Sequence, residues 1–200
     1  MEYVKANEIS FDPRAQMSRM FVDGWYTELR HFRKDKKRLA AAFEHIFLLD
    51  KFYLAVEGDK VASMVALTPG KLVPIMLDKK LLRRHLGFLP GTVAYIVLTR
   101  FVINHPYPFD ITGDVGSFEL VATQAEFQGR GIAHDLMKHL IETSDYKSYV
   151  LEVVENNAAA RALYERKLGF VEFKRVKAPK MSSIGHFLYL RKDKAEGTNT

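Results

Sequence analysis

The stretch Glu126-Phe-Gln-Gly-Arg-Gly-Ile-Ala-His134 decides how the rest of the sequence is interpreted. It lies between an apolar run that predicts a strand, Ser117–Thr123, and an amphipathic run that predicts a helix, Gly131–Ser144. Gly129 and Gly131 carry no side chain that would keep a ligand from the backbone. The amides that begin a helix lack partners within it, and the helix dipole adds about half a positive charge there. The stretch therefore predicts a site for a phosphate or pyrophosphate, with a plain glycine turn as the alternative.

Two familiar phosphate-binding loops do not fit this stretch. A Walker loop needs Gly-x4-Gly-Lys followed by Ser or Thr, and the sequence lacks that pattern. A dinucleotide fingerprint needs a third glycine where His134 stands, and then more strand–helix units than the remaining chain can hold. The predicted anion site is therefore of another kind, and Arg130 within it adds a mobile cation.

The alternation of strands and helices continues downstream. Ser148–Val154 is an almost uninterrupted apolar run, which is typical of a strand covered on both faces. A helix is predicted over Ala158–Leu168, then a strand that follows Gly169-Phe170 and ends at Val176, and a last strand over Ile184–Leu190. A strand, a helix and a strand at this spacing predict a parallel pair joined by a crossover.

The upstream part of the sequence predicts two helices and a hairpin. Asp12 followed by Pro13 is typical of a helix start, and the apolar positions from Leu39 to Phe47 predict a second helix. Phe52–Glu57 and Lys60–Leu67 predict two strands joined by a tight glycine turn.

Residues 70–115 are less regular. Asp78 is expected to cap a short helix that ends at Gly87. The apolar run Thr92–Ile103 fits a buried strand or a helix, and we favour the helix. The prolines in His105-Pro-Tyr-Pro-Phe109 predict an extended segment, because proline blocks both helical and ladder hydrogen bonds.

Composition limits the class of protein. The 200 residues are 48% apolar and 27% charged, so the chain can bury a sizeable core and intrinsic disorder is excluded. We expect one domain over residues 1–192 and a polar tail over 193–200. No apolar run reaches 18 residues, the N-terminus is charged where a signal peptide would be apolar, and cysteine is absent. These features predict a cytoplasmic protein without a membrane partner, disulfides or a thiolate nucleophile.

Neither metal nor nucleic acid is the expected partner. The histidines are scattered, and His134 and His139 are not at the four-residue spacing of helical metal ligands, so no metal site is predicted. The net charge of +6 favours anionic partners in general. The basic run Arg30–Arg38 is the best candidate for a nucleic-acid surface, but the interruption at Asp35 favours a solvated face between helices.

Two motifs resemble those of the GNAT superfamily of acetyl-CoA-dependent N-acyltransferases. The family's loop, Gln/Arg-x-x-Gly-x-Gly/Ala after a strand, is matched by Gln128-Gly-Arg-Gly-Ile-Ala133. A second motif, Asn-x-x-Ala-x-x-Leu-Tyr followed by Gly-Phe, is matched by Asn157, Ala160, Leu163, Tyr164 and Gly169-Phe170. The resemblance is tight over residues 116–176 and looser over 1–67. It implies an α/β single domain, with a mixed central β-sheet flanked by helices and a helical insertion between the third and fourth strands.

The resemblance also implies which residues hold the acetyl-CoA cosubstrate. In such proteins the strand before the loop diverges from its neighbour and offers backbone groups to the pantetheine arm, the loop amides hold the pyrophosphate, and the asparagine positions the thiol end. Asn157 is also a good helix cap. The implied cofactor-binding residues are Val121, Ala122, Thr123, Gln128, Gly129, Arg130, Gly131, Ile132, Ala133 and Asn157.

The reaction implied by the resemblance needs an acid and a base. Tyr164 would protonate the departing thiolate, since a phenol of pKa about 10 stays protonated at neutral pH. An ammonium of pKa about 10.4 must lose its proton before it can attack, and our candidate base is Glu119, flanked by apolar neighbours that would raise its pKa. A core aromatic and a surface carboxylate are the plain alternatives for these two residues. Because cysteine is absent, direct attack on the thioester is the simpler route.

The sequence departs from the family pattern in two places. One extra residue stands between Tyr164 and Gly169, and we expect the end of the helix to absorb it. The insertion at about 70–115 either lines the acceptor pocket or forms a homodimer contact.

The predicted function is transfer of an acetyl group from acetyl-CoA to a primary amine, either a small molecule or a peptide. The alternative is a non-catalytic CoA-binding or RNA-associated regulatory protein with the same fold. Motifs do not read the variable loops that would select the acceptor.

Overall fold

The computed structural model of the chain describes residues 1–70, 72–104, 107–111, 113–178 and 185–194, with Phe101 described by its backbone alone. The described strands, numbered along the chain, are β1 (Glu2–Lys5), β2 (Phe52–Glu57), β3 (Lys60–Pro69), β4 (Val115–Thr123), β5 (Ser148–Val154), β6 (Val171–Lys177) and β7 (His186–Asp193). The α-helices are α1 (Arg14–Gly24), α2 (Tyr26–Leu29), α3 (Lys36–Phe43), α4 (Lys79–Leu86), α5 (Phe88–Leu98), α6 (Ile132–Thr143) and α7 (Ala158–Arg161).

The described strands form one mixed sheet in the order β1-β2-β3-β4-β5-β7-β6. Neighbouring strands are antiparallel except for β4 and β5, which are parallel as the strand–helix–strand spacing predicts. Helix α6 makes the crossover between them. The predicted mixed sheet flanked by helices is therefore confirmed.

Local signals in the sequence account for most boundaries of the elements. Asp78 caps α4 through bonds from the amides of Lys80 and Leu81, and Gly87 ends the helix with a φ of +100°. The Asp12 carboxylate accepts from the amide of Arg14, the first residue of α1. Strands β2 and β3 form the predicted hairpin.

Strand β1 was not predicted. Its four residues pair antiparallel with β2 at the edge of the sheet, and their side chains are half-buried or exposed. A run this short and this polar has no strand pattern of its own, so its conformation depends on pairing with β2. We had interpreted the chain as beginning with a helix, because Asp12-Pro13 is its first strong local signal.

Helices cover both faces of the sheet and define two apolar clusters. The cluster on one side, which we call the insertion face, joins the sheet to α1, α3, α4 and α5 through residues such as Phe21, Phe43 and Leu82. The cluster on the other side, which we call the α6 face, joins the sheet to α6 and the helix after β5 through residues such as Leu136 and Tyr164. Each functional side chain can therefore be assigned to a face.

The insertion between β3 and β4 is helical, as predicted. Helix α5 continues into a π-helical turn over Thr99–Ile103, so the open choice over Thr92–Ile103 resolves to helix. Part of the segment predicted to be extended, His105 and Pro106, lies outside the described residues, and Tyr107–Phe109 forms neither helix nor strand.

The extra residue after Tyr164 is absorbed as a π-helical turn over Ala162–Lys167, in which the amide of Leu168 bonds the carbonyl of Leu163. A π turn inserts one residue into a helix. This π turn is the last turn of the helix that begins at Ala158, so the adjustment lies at the end of the helix, as expected, and it includes Tyr164. The amide of Phe170 bonds the Tyr164 carbonyl at 2.9 Å, which fixes where the chain leaves the helix.

The end of the chain is partly described. Strand β7 is described from His186, and Ile184, where the last strand was predicted to begin, lies outside the described residues. The strand runs through Asp193, the first residue of the predicted 193–200 tail, and residues from 195 onward are outside the described part. No helix among the described residues has the length and apolar character needed to cross a bilayer.

Close packing within the insertion can be tested at Gly91. A Cβ on this residue would lie 2.6 Å from the backbone N and Cα of Arg83, so Gly91→Ala must push α4 and α5 apart. We expect it to lower the free energy of unfolding in urea by about 1–3 kcal/mol. Gly24→Ala is the matched control, since a Cβ there meets nothing within 4 Å. The control should be neutral or slightly stabilising, by up to about 1 kcal/mol. Equal effects of the two changes would contradict the packing.

Candidate active site

A β-bulge lies in the middle of β4. This strand pairs with β3 as far as Glu119 and resumes at Ala122, with a shift of register between the two pairs. Leu120 and Val121 lie within the shift, and Leu120 has a φ of +49°, the one positive φ of a non-glycine residue in the described chain. A bulge of this kind bends the strand and changes which face the following side chains occupy.

The parallel strands β4 and β5 part next to the bulge. They pair only over Val115–Phe118 and Ser148–Leu151, although both strands continue for several residues. A cavity of about 680 Å³ lies at this opening. Its described lining consists of Trp25, Val73, Pro74, Ile75, Val102, Ile103, Asn104, Tyr107, Phe118, Glu119, Leu120, Val121, Glu152, Val153, Val154, Asn157, Ala160 and Tyr164.

Two acidic side chains and the phenol of Tyr164 reach this cavity from opposite faces of the sheet. Leu151 and Val153 belong to the cluster on the α6 face, so the alternation of a strand turns Glu152 to the insertion face. Phe118 also belongs to the α6 face, and Glu119 therefore points the other way. Tyr164 packs within the α6 face. Both carboxylates thus share one face, and the phenol lies on the other.

Glu119 is held in a buried polar network. The hydroxyl groups of Tyr107 and Ser117 lie 2.7 Å apart, and the Ser117 hydroxyl donates to the Glu119 carboxylate over a longer 3.4 Å. Burial raises the pKa of Glu119 to about 7, the charge of Glu152 adds to the rise, and the bond from Ser117 opposes it. Because Ser117 has a single hydroxyl proton, Tyr107 is the donor when Ser117 donates to Glu119.

Glu152 is a functional candidate that we missed in the sequence. It pairs across the ladder with Tyr189, and burial followed by the Glu152 charge raises the pKa of that tyrosine. The centroids of the Tyr107 and Tyr189 rings lie 5.8 Å apart, so the insertion packs against the Glu152–Tyr189 pair through Tyr107. A lone charge within the otherwise apolar run Ser148–Val154 was the available signal for Glu152.

Tyr107, Ser117 and Trp25 gave weaker signals. Tyr107 stands between prolines in an irregular segment, and Trp25 occupies the single residue between α1 and α2. No local pattern indicates that Tyr107 approaches Ser117 or that Trp25 lines the cavity, because both positions depend on tertiary packing.

Tyr164 combines deep burial with a place on the cavity wall. It is only 7% exposed, and its ring lies 6.4 Å from the Phe170 ring. Burial raises its pKa, so the phenol stays protonated throughout the neutral range. Asn157, on the same side, caps α7 by accepting from the amide of Ala160 at 3.1 Å, and it also lines the cavity.

The glycine loop has the backbone conformation that its sequence requires. Gly129 and Gly131 have φ values of +77° and +79°, and a Cβ on either would meet nothing within 4 Å. The side-chain amide of Gln128 donates to the carbonyl of Thr123 at 3.1 Å, which ties the loop to the end of β4. Arg130 is half-exposed, approaches Glu57 at 3.8 Å in a loose surface pair, and places its guanidinium 5.0 Å from the centroid of the Phe127 ring.

The loop offers a chain of amides to an anion. Helix α6 has twelve residues and begins at Ile132, so its first amides lack partners within the helix. In the described chain, no amide from Gly129 to His134 donates to a backbone carbonyl outside the helix. Open space beside both glycines and a helix dipole behind them fit a diphosphate.

The other predicted cofactor-binding residues differ in whether they line the cavity. Val121 lines the cavity from within the bulge, whereas Ala122 and Thr123 have returned to the ladder with β3. The Ser63 hydroxyl donates to the Ala122 carbonyl at 2.9 Å and lies 3.0 Å from the Thr123 hydroxyl. The structure thus brings Glu119, Val121, Asn157 and Tyr164 to one cavity, with residues 128–133 beyond the end of β4.

The insertion contributes one wall of the cavity. Residues 73–75 and 102–104 line it, together with Tyr107. Of the two roles considered for the insertion, lining a pocket is the one that the described lining supports. Among the described residues, no group of three or more His, Asp or Glu side chains could hold a metal ion.

Residues 15–170 match the acetyltransferase (GNAT) family. The fold resembles that of an N-acetyltransferase from Staphylococcus aureus Mu50, at 20% identity and a TM-score of 0.64, over 96% of this chain and 100% of the other. It also resembles a ribosomal-protein-alanine N-acetyltransferase from Brucella melitensis, at 16% identity and a TM-score of 0.59, over 96% and 99% of the two chains. A third similar structure, a ribosomal-protein-S18-alanine N-acetyltransferase from Escherichia coli, has 17% identity and a TM-score of 0.50, over 100% and 97%.

No curated protein matches the chain in sequence. At identities this low, the similarity to solved structures shows the fold alone. The family match covers most of the chain, including the glycine loop and Tyr164. The resemblance stated from two short motifs is therefore confirmed: the chain is an acyltransferase that belongs to the GNAT acetyltransferase family.

Proposed function

We propose that the protein transfers an acetyl group from acetyl-CoA directly to a primary amine. The observation that carries the proposal is the opening between β4 and β5, where Glu119 and Tyr164 line one cavity from opposite faces of the sheet. This arrangement supports a reaction in which a proton is removed on one face and delivered on the other.

Several residues fit acetyl-CoA, whose thioester supplies an activated acetyl group when it is bound. The amides of residues 128–133 would hold the diphosphate at the start of α6. Backbone groups of Val121–Thr123 would contact the pantetheine arm, although the bond from Ser63 already occupies the Ala122 carbonyl. Asn157 would contact the thiol end through its side-chain nitrogen, because its oxygen caps α7.

Glu119 is the proposed base. An alkylammonium has a pKa of about 10.4, and a carboxylate with a pKa near 7 accepts its proton far more readily than an ordinary glutamate does. Burial raises the pKa of Glu119, whereas the hydrogen bond from Ser117 stabilises its ionised form. Both protonation states of Glu119 are therefore populated at neutral pH. Glu152 lies on the same face and makes the site attractive to a cation.

Tyr164 is the proposed acid. Its burial keeps the proton on the oxygen throughout the neutral range. A thiolate that forms beside the ring would lose water in the same buried site, which raises its basicity too, so the phenol is placed to donate its proton to the leaving group. Direct transfer needs no nucleophile from the protein, which agrees with a chain that has no cysteine.

The alternative is a non-catalytic regulator that binds CoA or associates with RNA, and the basic run gives the RNA-associated form little support. Asp35, within the basic run, caps α3 through the amides of Lys37 and Arg38. Lys36 pairs with Asp23 at 2.6 Å. These contacts are those of an ordinary solvated start of a helix.

The other considered role of the insertion, contact between two copies of the chain, stays a prediction. Helix α5 exposes an apolar face on which such a contact would form, made by Phe88, Leu89, Val93 and Ile96.

The diphosphate site can be tested at Gly131. Gly131→Ala places a Cβ on the bare side of the loop and strains a backbone at φ +79°, so we expect affinity for coenzyme A to fall at least about tenfold in calorimetry. Gly58→Ala is the matched control: its φ is +62° and its surroundings are equally open, but it lies in the β2–β3 turn. If the unaltered, folded chain does not bind coenzyme A but binds RNA in a salt-sensitive way, the regulator is favoured instead.

The acid can be tested at Tyr164. Tyr164→Phe removes one hydroxyl from a buried ring, so kcat should fall by about 10²-fold or more while the Kd for coenzyme A changes less than about twofold. Tyr53→Phe, on β2 and outside the described cavity lining, is the control and should leave kcat unchanged. If kcat of Tyr164→Phe stays at the original level when chemistry limits turnover, Tyr164 is not the acid.

The base can be tested by its opposite effects on stability and activity. A raised pKa means that the Glu119 charge destabilises the folded state as pH rises from about 4.5 through 7. Glu119→Gln should therefore increase the free energy of unfolding by about 2–3 kcal/mol at pH 8 and leave it unchanged at pH 4. The same change should lower kcat/KM about 10²-fold and remove the limb near pH 7 from the pH–rate profile. Glu28→Gln in α2 is the control, and an unaltered profile in Glu119→Gln would assign the base elsewhere.

A further inference from the structure

We propose that the acceptor is a primary amine carried on an apolar, uncharged carbon skeleton, bound on the insertion face between Trp25 and the insertion. This inference rests on the proposed function and adds the class of its substrate. It depends on the direction from which the acceptor reaches the opening, on the chemistry of the wall it meets, and on the position of the carboxylates.

The direction follows from the two faces of the sheet. The glycine loop leads into α6, whose first residue, Ile132, belongs to the α6 face together with Tyr164. A cosubstrate bound at the start of α6 therefore approaches from that side. The acceptor must approach from the insertion face, where Trp25, Val73 and Ile103 pack beside the cavity.

The wall on this side is apolar. Its side chains come from the end of α1 and from both ends of the insertion, and the polar groups among them, in Asn104 and Tyr107, are uncharged. The apolar members are Trp25, Val73, Pro74, Ile75, Val102 and Ile103. Among the described residues that line the cavity there is no Lys, Arg, His or Asp. A charge on the far part of an acceptor would therefore lose water without gaining a partner, which is costly.

The charged groups lie where the amine must react. Glu119 and Glu152 are on the neighbouring strands β4 and β5, and both face the insertion side of the sheet. Together they attract one ammonium group to the opening between the strands. Neutral donors surround them, namely Ser117, Tyr107 and Tyr189. The arrangement has one acidic subsite that attracts the ammonium group at the reacting end, and an apolar subsite beyond it.

Trp25 provides a direct signal of acceptor binding. It is the only tryptophan in the sequence, so intrinsic fluorescence excited at the indole band reports this wall alone. An apolar acceptor that lies against the indole should change the emission in the presence of coenzyme A, without any turnover.

Three amines with six-carbon chains form the test: hexylamine, 1,6-diaminohexane and 6-aminohexanoate. They share the reacting amine and differ only in the far end, which is apolar, cationic or anionic. We expect kcat/KM for hexylamine to exceed that of each of the others at least about tenfold. Its titration of Trp25 fluorescence should saturate at the lowest concentration.

A single change in the wall should alter this preference. Val102 is 38% exposed, so Val102→Asp can be accommodated and places a carboxylate beside the far end of the acceptor. We expect kcat/KM for hexylamine to fall at least about tenfold and that for 1,6-diaminohexane to equal or exceed it. Val93→Asp is the matched control, because Val93 is 51% exposed on α5 and is not among the lining residues.

The outcomes separate this inference from the proposed function. Preference of the unaltered enzyme for 1,6-diaminohexane or 6-aminohexanoate would overturn the apolar class and leave acetyl transfer to amines standing. Saturable quenching of Trp25 by hexylamine without acetylation of any amine would support the pocket and overturn the proposed function. No fluorescence change and no turnover with hexylamine, in a protein that binds coenzyme A, would overturn the inference as well.

Discussion

Strands β4 and β5 are joined at four pairs of residues and then part, and the rest of the site depends on this interrupted ladder. Parallel strands in the middle of a sheet are normally paired along their length, because unpaired backbone groups in a buried position are costly. Here the bulge at Leu120 turns β4 away from its neighbour, and β7 continues to pair with β5 on the other side. An opening is thereby held through the sheet while β4 stays paired with β3 around the bulge and β5 stays paired with β7.

That opening explains how the proposed acid and the proposed base can come from different faces. On a continuous sheet, side chains on opposite faces are separated by the backbone and cannot serve one reacting group. Where two strands part, Glu119 and Tyr164 line a single cavity although they pack in different apolar clusters. Burial then acts on both groups in the direction that each role needs, since it raises the pKa of the carboxyl to about 7 and keeps the phenol protonated. Burial makes the Glu119 carboxylate less stable, and this raised pKa is what the proposed base needs at neutral pH.

The parts of the structure that sequence could predict are those with local causes. Asp78 and Gly87 mark the ends of α4 because capping involves residues only a few positions apart. The glycine loop and α6 could be predicted equally well, because the turn conformation and the helix periodicity depend on residues that are close together in the sequence. Strand β1 and the bulge at Leu120 were not predicted, because each depends on a strand far away in the chain. The approach of Tyr107 to Ser117 was not predicted either, because it depends on how an irregular segment folds back on β4. Glu152 was visible as a lone charge in an apolar strand, yet only the alternation of the folded strand shows that it faces the same side as Glu119.

The insertion shows how a shared core can serve a particular acceptor. The residues that match the family motifs lie in the glycine loop, at the start of α6 and in and just after the helix that follows β5, and those that are buried belong to the α6 face. The opposite wall is supplied largely by residues 73–75 and 102–104, which flank the α4–α5 hairpin and lie outside every motif. Gly91 allows α5 to pack directly against the backbone of α4, so the two helices form a compact unit that can support a fixed wall. In the proposed site, the wall that meets the acceptor is therefore formed by packing between distant residues, whereas the residues that match the motifs form the side proposed for the cosubstrate.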